Sequence, residues 1–162
     1  MLTAGEIFFA VVYSLFLSYL IIKLPFFSRF GTSAQWIAAI FLFKVIAGGT
    51  YGLIHYYLYN GGDTFEYFKD SKIVVNSIKA DGISMYLRLV FGITDPNPAT
   101  SIIPYKDAMG FFTNMNSYFI VRFNALADLF TFNHYYANMV IYNFLTLIGL
   151  LYFFRFLNGV IP

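Results

Sequence analysis

Two carboxylates stand three residues apart in the stretch Tyr59-Asn60-Gly61-Gly62-Asp63-Thr64-Phe65-Glu66-Tyr67, directly after a long apolar run. At such a border a carboxylate can serve as a general base or metal ligand toward a water-borne reactant, and the paired glycines let a ligand approach the backbone closely. The same residues also spell a helix start, with Asp63 as N-cap and Glu66 completing a capping box after the Asn60-Gly61-Gly62 turn. Both readings stand, and they make Asp63 and Glu66 the catalytic candidates. Arg88 and Arg122 are the candidates for holding a phosphate or diphosphate, which a guanidinium grips through two parallel hydrogen bonds. More commonly, such residues meet lipid headgroups or a nearby carboxylate. Lys44 lies inside an apolar run, more than a turn from either end; it either faces protein or a polar pathway, or snorkels toward the surface marked by Trp36.

Other chemistries lack their residues. There is no cysteine, so disulfides, thiolate zinc sites and cysteine nucleophiles are excluded. His55 and His134 have no acidic or histidine neighbour at helical ligand spacing, so both read as structural and no metal site is written in the sequence. A divalent ion held at Asp63 is the one cofactor the acidic stretch would admit. Walker, G-x-S-x-G and G-x-G-x-x-G patterns are absent, which removes motif support for nucleotide or soluble hydrolase chemistry.

The elements that must position these residues are apolar helices. Of 162 residues, 59% are hydrophobic and 11% charged, against roughly 45–50% and 25% in globular chains, so lipid rather than water must solvate most of the surface. Aromatic residues reach 22%, which again fits lipid tails and headgroup borders. The net charge of +2 is too small and dispersed for a nucleic-acid-binding face. Three runs are long enough to span a bilayer: residues 7–24, closed by Lys23 and Pro25; residues 35–59; and residues 135–154, stopped by Arg155. Without a basic n-region or a small-residue cleavage site, the first reads as a retained span rather than a signal peptide. A Gly48-Gly49 pair in the second marks a place where another helix can come close.

The chain is therefore expected to be an all-α, polytopic membrane protein with three transmembrane helices and amphipathic juxtamembrane helices. Residues 1–59 carry two spans with a short link, 60–134 a polar segment, and 135–162 the third span with its end. The polar segment holds six of the ten Lys/Arg and seven of the eight Asp/Glu. Lys23, Arg29 and Arg155 put the short link and the final end in the cytoplasm of a bacterial inner membrane, which makes residues 60–134 periplasmic.

Within that segment a helix is expected from Asp63. Tyr67, Phe68, Ser71, Val74, Val75 and Ile78 fall on one face; Glu66, Lys69, Asp70, Lys72, Asn76 and Lys79 fall on the other. Such a helix lies on a membrane surface or against other helices. Ser84 is expected to cap a second helix over residues 85–91. Pro96, Pro98 and Pro104 predict a loop over 94–110. Residues 117–132 are apolar but interrupted by Arg122, Asn124 and Asp128. The cost of a central charge in lipid, about 2.5–3.5 kcal/mol, favours a re-entrant or surface helix over a fourth, polar span.

With Gly62-Asp63-Thr64-Phe65-Glu66-Tyr67 after a span, amphipathic helices next, then Tyr118-Phe119-Ile120-Val121-Arg122-Phe123 and a span from Tyr135, the layout resembles the N-terminal part of polytopic C-type glycosyltransferases of Bacteroidetes type. That resemblance implies sugar transfer from a polyprenyl-phosphate donor, with Asp63 in the catalytic acid position. Such enzymes have no span ahead of the one that carries the acidic loop, and they continue with many more membrane helices. Because three or four helices cannot enclose the lipid-facing cavity of that reaction, a fragment or relative of such an enzyme is expected, inactive in isolation. The alternatives are a non-enzymatic subunit scaffolding a larger inner-membrane complex, or part of a transporter. Partners are membrane lipids, a polyprenyl-phosphate sugar and other membrane helices or subunits, and no nucleic acid.

Overall fold

The computed structural model describes residues 2–93 and 102–160, and all regular structure among them is helical: α1 Ala4–Lys23, α2 Pro25–Ser28, α3 Ala34–Leu58, α4 Asp63–Asp81, α5 Ile83–Phe91, α6 Ile103–Ala108, α7 Met115–Thr131 and α8 Tyr135–Val160. Among the described residues, three helices are long and apolar enough to cross a membrane: α1 with 20 residues, α3 with 25 and α8 with 26. The chain divides into two compact units, Met1–Ile54 with Tyr136–Pro162, and His55–Tyr135.

In the first unit, α1 starts where the Thr3 hydroxyl accepts the Glu6 N–H at 3.2 Å, and it stops before Pro25, which cannot donate to a continuing helix. The buried Glu6 carboxylate then accepts the N–H of Tyr136 at 2.9 Å, satisfying one of the orphan donors of the first turn of α8. Thus α1 and α8 begin at the same end. Phe41 packs on Phe144 while Gly48, further along α3, abuts Met139 and Asn143, so α3 runs the opposite way. A Cβ at position 48 would crowd the ends of both side chains, so the glycine permits the close approach of helices expected there. Leu17, Ile21, Ile37, Phe41, Val140 and Leu147 fill the interior, and large apolar groups such as Phe16, Phe43 and Phe153 point outward. Past Arg155, α8 continues to Val160, because a charge ends the lipid-compatible stretch without breaking helical hydrogen bonding.

The second unit is built on α4 packed against α7. Ser71 donates to Asp128 at 2.6 Å and the Tyr67 and Ser117 hydroxyls meet at 3.4 Å, while Thr64 meets the hydroxyl of Tyr135, the first residue of α8, at 3.0 Å. Val74, Tyr86, Leu89, Tyr118, Val121 and Ala125 form the core. Two glycines with positive φ, Gly82 (83°) and Gly92 (67°), bound α5.

Several expectations are corrected. Residues 94–101 lie outside the described residues, but 103–108 form α6 rather than loop, because Pro104 stands in the first turn, where a helix has no use for the missing N–H. Gly82, not Ser84, caps α5. The apolar side of α4 lies against other helices, one of its two expected settings, but Asp70, placed on its polar side by periodicity, is buried.

Candidate functional site

Helix α3 ends where Asn60 takes a left-handed φ of 54° and the Gly61 N–H turns back to the His55 carbonyl at 3.0 Å. The φ of 108° at Gly61 is open to glycine alone without strain. Gly62 is extended, and a Cβ there would press on the His55 ring. This turn aims the chain into α4, whose first residue is Asp63.

The N-cap of α4 is Gly62 and no side chain caps it, so Asp63 is not the cap that its letter and position imply. Helical φ/ψ begins one residue earlier than the capping box requires. Asp63 is exposed, and Glu66, also exposed, reaches forward to Lys69 at 2.5 Å instead of back to the helix start. Both acids are favourably placed toward the positive end of α4. The exposed Glu66–Lys69 pair, three residues apart, contributes little, about 0.2–0.5 kcal/mol.

The arginines are elsewhere in this unit. Arg122 lies with its guanidinium carbon 4.6 Å from the Tyr118 ring centroid and packs against Gly92, where a Cβ would collide with it. A cation there meets the negative end of α5, a stabilising arrangement. Arg88 is half-buried in the last turn of the same helix, and its carbonyl accepts the Ile93 N–H at 2.9 Å. The two arginines thus share the C-terminal end of α5. Among the described residues neither Asp63 nor Glu66 shares a hydrogen bond or ion pair with Arg88 or Arg122. The structure brings Asp63 together with Glu66, and Arg122 with Arg88, but not the acids with the arginines.

Lys44 is half-buried in α3, on the side shared by Phe41 and Gly48 that meets α8. Among the described residues no three His, Asp or Glu side chains converge.

Family models, curated proteins and solved structures offer no match to this chain.

The polar chemistry of the His55–Tyr135 unit centres on residues that periodicity hid. Asp70 accepts the N–H groups of Gly110 (3.2 Å) and Phe111 (2.9 Å), and Asp128, 1% exposed, accepts from Ser71. Tyr118 donates to the Leu89 carbonyl at 2.8 Å, and Tyr86 donates to the Ala125 carbonyl at 3.2 Å. Burial, aided by the Asp70 charge and opposed by Arg122, pushes the Tyr118 phenol up to about 12. Burial and then the Asp128 charge raise Tyr86 as well. At the surface, the bond from Tyr105 to Asp81 lifts that phenol to about 12. No single-sequence signal distinguishes Asp70 from its solvated neighbours. Asn124 and Asp128 in an otherwise apolar run were the one available hint.

Proposed function

We propose that this chain is a fragment or relative of an inner-membrane glycosyltransferase that moves a sugar from a polyprenyl-phosphate donor, with Asp63 as its acidic group at the membrane border. The observation that carries this reading is that Asp63 is exposed directly after the aromatic end of α3, is not the cap of α4, and has no hydrogen bond or ion pair among the described residues. A carboxylate held in no such bond is available for a reactant. In the reaction, Asp63 takes the proton of an acceptor hydroxyl as its oxygen bonds to the anomeric carbon, and the broken C–O bond leaves its electron pair on the polyprenyl phosphate. Glu66 and a divalent ion held with Asp63 are secondary members of this proposal, and Arg88 and Arg122 its phosphate-binding group.

A second reading, a non-enzymatic subunit that scaffolds a larger complex, draws support from the arginines. Arg122 is engaged at the end of α5, against Gly92 and over the Tyr118 ring. In either case we propose that the His55–Tyr135 unit is periplasmic, supported by Lys23 and Arg29 in the short link and Arg155 past the core of α8.

The test is chromosomal replacement with Asp63→Asn and Asp63→Ala, with polyprenyl-linked sugars profiled by mass spectrometry and protein level measured beside them. Both variants are expected to accumulate normally and to lose at least tenfold of the glycolipid that the wild type makes. A wild-type profile in Asp63→Asn removes this residue from the chemistry. An unchanged profile on deletion of the whole gene removes the sugar-transfer reading and leaves the scaffold.

A further inference from the structure

Helix α7 is polar inward and apolar outward. Toward α4 it buries Asn124, Asp128 and Thr131, while Met115, Phe119, Phe123, Leu126 and Phe130, spaced by three or four residues, are exposed on the other side. Met115 and Phe130 keep 71% and 67% of their surface open, and no charge interrupts this row. The outward side of α4 has the opposite character, with Glu66, Lys69, Asn76 and Lys79 exposed. The pair is therefore polar beyond α4 and apolar beyond α7.

What covers α7 follows from the chain's own connections. The unit is entered from α3 through four residues, 59–62, and left into α8 through three, 132–134. Both flanking helices are long and apolar enough to cross a membrane. Three linking residues span at most about 10–14 Å, so the last turn of α7 is held within that distance of the start of a span. Exposed Tyr57 and Tyr59, at the end of α3, mark headgroup level where the unit begins.

We infer that the outer face of α7 is seated in the acyl region of the bilayer, with α4 as the water-facing side of the same unit. The row of large apolar side chains is then solvated by lipid, and the buried Asn124, Asp128 and Thr131 are turned toward hydrogen-bonding partners on the protein side, as polar groups next to hydrocarbon require. This inference rests on α3 and α8 crossing the membrane and is independent of sugar transfer.

The cysteine-free chain permits a direct measurement. Spin labels are placed singly by Phe123→Cys, Leu126→Cys, Asn76→Cys and Lys79→Cys in the full chain, reconstituted in phosphatidylethanolamine–phosphatidylglycerol vesicles. Collision with oxygen and with a water-soluble nickel chelate is then recorded. Labels at 123 and 126 are expected to meet oxygen several-fold more than nickel, and labels at 76 and 79 the reverse. Nickel access at 123 and 126 equal to that at 79 overturns the inference in favour of a water-facing helix. Screening from both reagents overturns it in favour of a protein partner or second copy. A label from Phe43→Cys in α3, 72% exposed in the chain itself, is the reference: water-like values there indict the span and not the seating of α7.

Discussion

Asp63 and Asp70 sit on the same helix, seven residues apart, and their environments assign them opposite roles. Asp70 is buried and satisfies two backbone donors from the turn that follows α6, so Asp70→Ala leaves the Gly110 and Phe111 N–H groups without their acceptor. Removing one partner of a buried hydrogen bond costs about 1–3 kcal/mol. Asp63 is exposed and outside any bond among the described residues, so Asp63→Ala hardly changes stability. Thermal unfolding in detergent, followed by circular dichroism, is expected to fall by several degrees for Asp70→Ala and to stay at wild type for Asp63→Ala. Equal losses in the two variants would show that Asp63 carries structure, and the reading of it as an available acid would go. In sequence the two residues cannot be ranked. Lys69-Asp70-Ser71-Lys72 reads as solvated, because the donors that require Asp70 are about forty residues further on.

Between elements, the joint of α5 with α7 carries a pH dependence. Tyr118 of α7 donates to the Leu89 carbonyl near the end of α5, and Arg122, one turn on, packs at the Gly92 terminus. A free tyrosine loses its proton near 10.0, whereas Tyr118 keeps it to about 12 in the folded chain. Over that interval the unfolded state has released a proton that the folded state still holds, so stability falls as pH rises. The contribution is fully present below pH 10 and is lost as the pH passes through about 12. Unfolding of the purified protein between pH 9 and 12 is expected to become progressively easier. Tyr118→Phe is expected to flatten part of that slope while costing about 0.5–1.5 kcal/mol at neutral pH, since the Leu89 carbonyl loses a donor. Tyr86, raised in the same direction, supplies slope that remains. An unaltered slope in Tyr118→Phe would mean that this phenol is not the group titrating.

At the scale of the whole molecule, the Glu6–Tyr136 bond and the opposed run of α3 place the exit to the His55–Tyr135 unit and the return from it at one end of the first unit. Helices that alternate in this way put α2 and its neighbouring link at the other end of the first unit. With the positive charges of that link taken as cytoplasmic, an impermeant thiol reagent applied to intact cells is expected to label Lys79→Cys and spare Ser28→Cys, with both labelled after permeabilisation. Labelling at 28 alone would invert the topology.

The sequence by itself determined the solvent and the spans. Runs of about twenty apolar residues bounded by Lys23, by the tyrosines at the end of α3 and by Arg155 have no stable alternative to helices in lipid, because every backbone group must be bonded locally there. The Gly48 approach was legible for a similar reason, since a missing side chain in a span serves proximity. What the tertiary structure decided was the fate of each polar group in residues 55–135. Periodicity gives the angle of a side chain around its own helix but not what lies opposite, so it could assign neither α4's apolar face to α7 nor the Asp70 carboxylate to the turn at Gly110. Capping letters fix a helix start only to within a residue, and one residue is the difference between Asp63 as a cap and Asp63 as an open carboxylate at the head of α4.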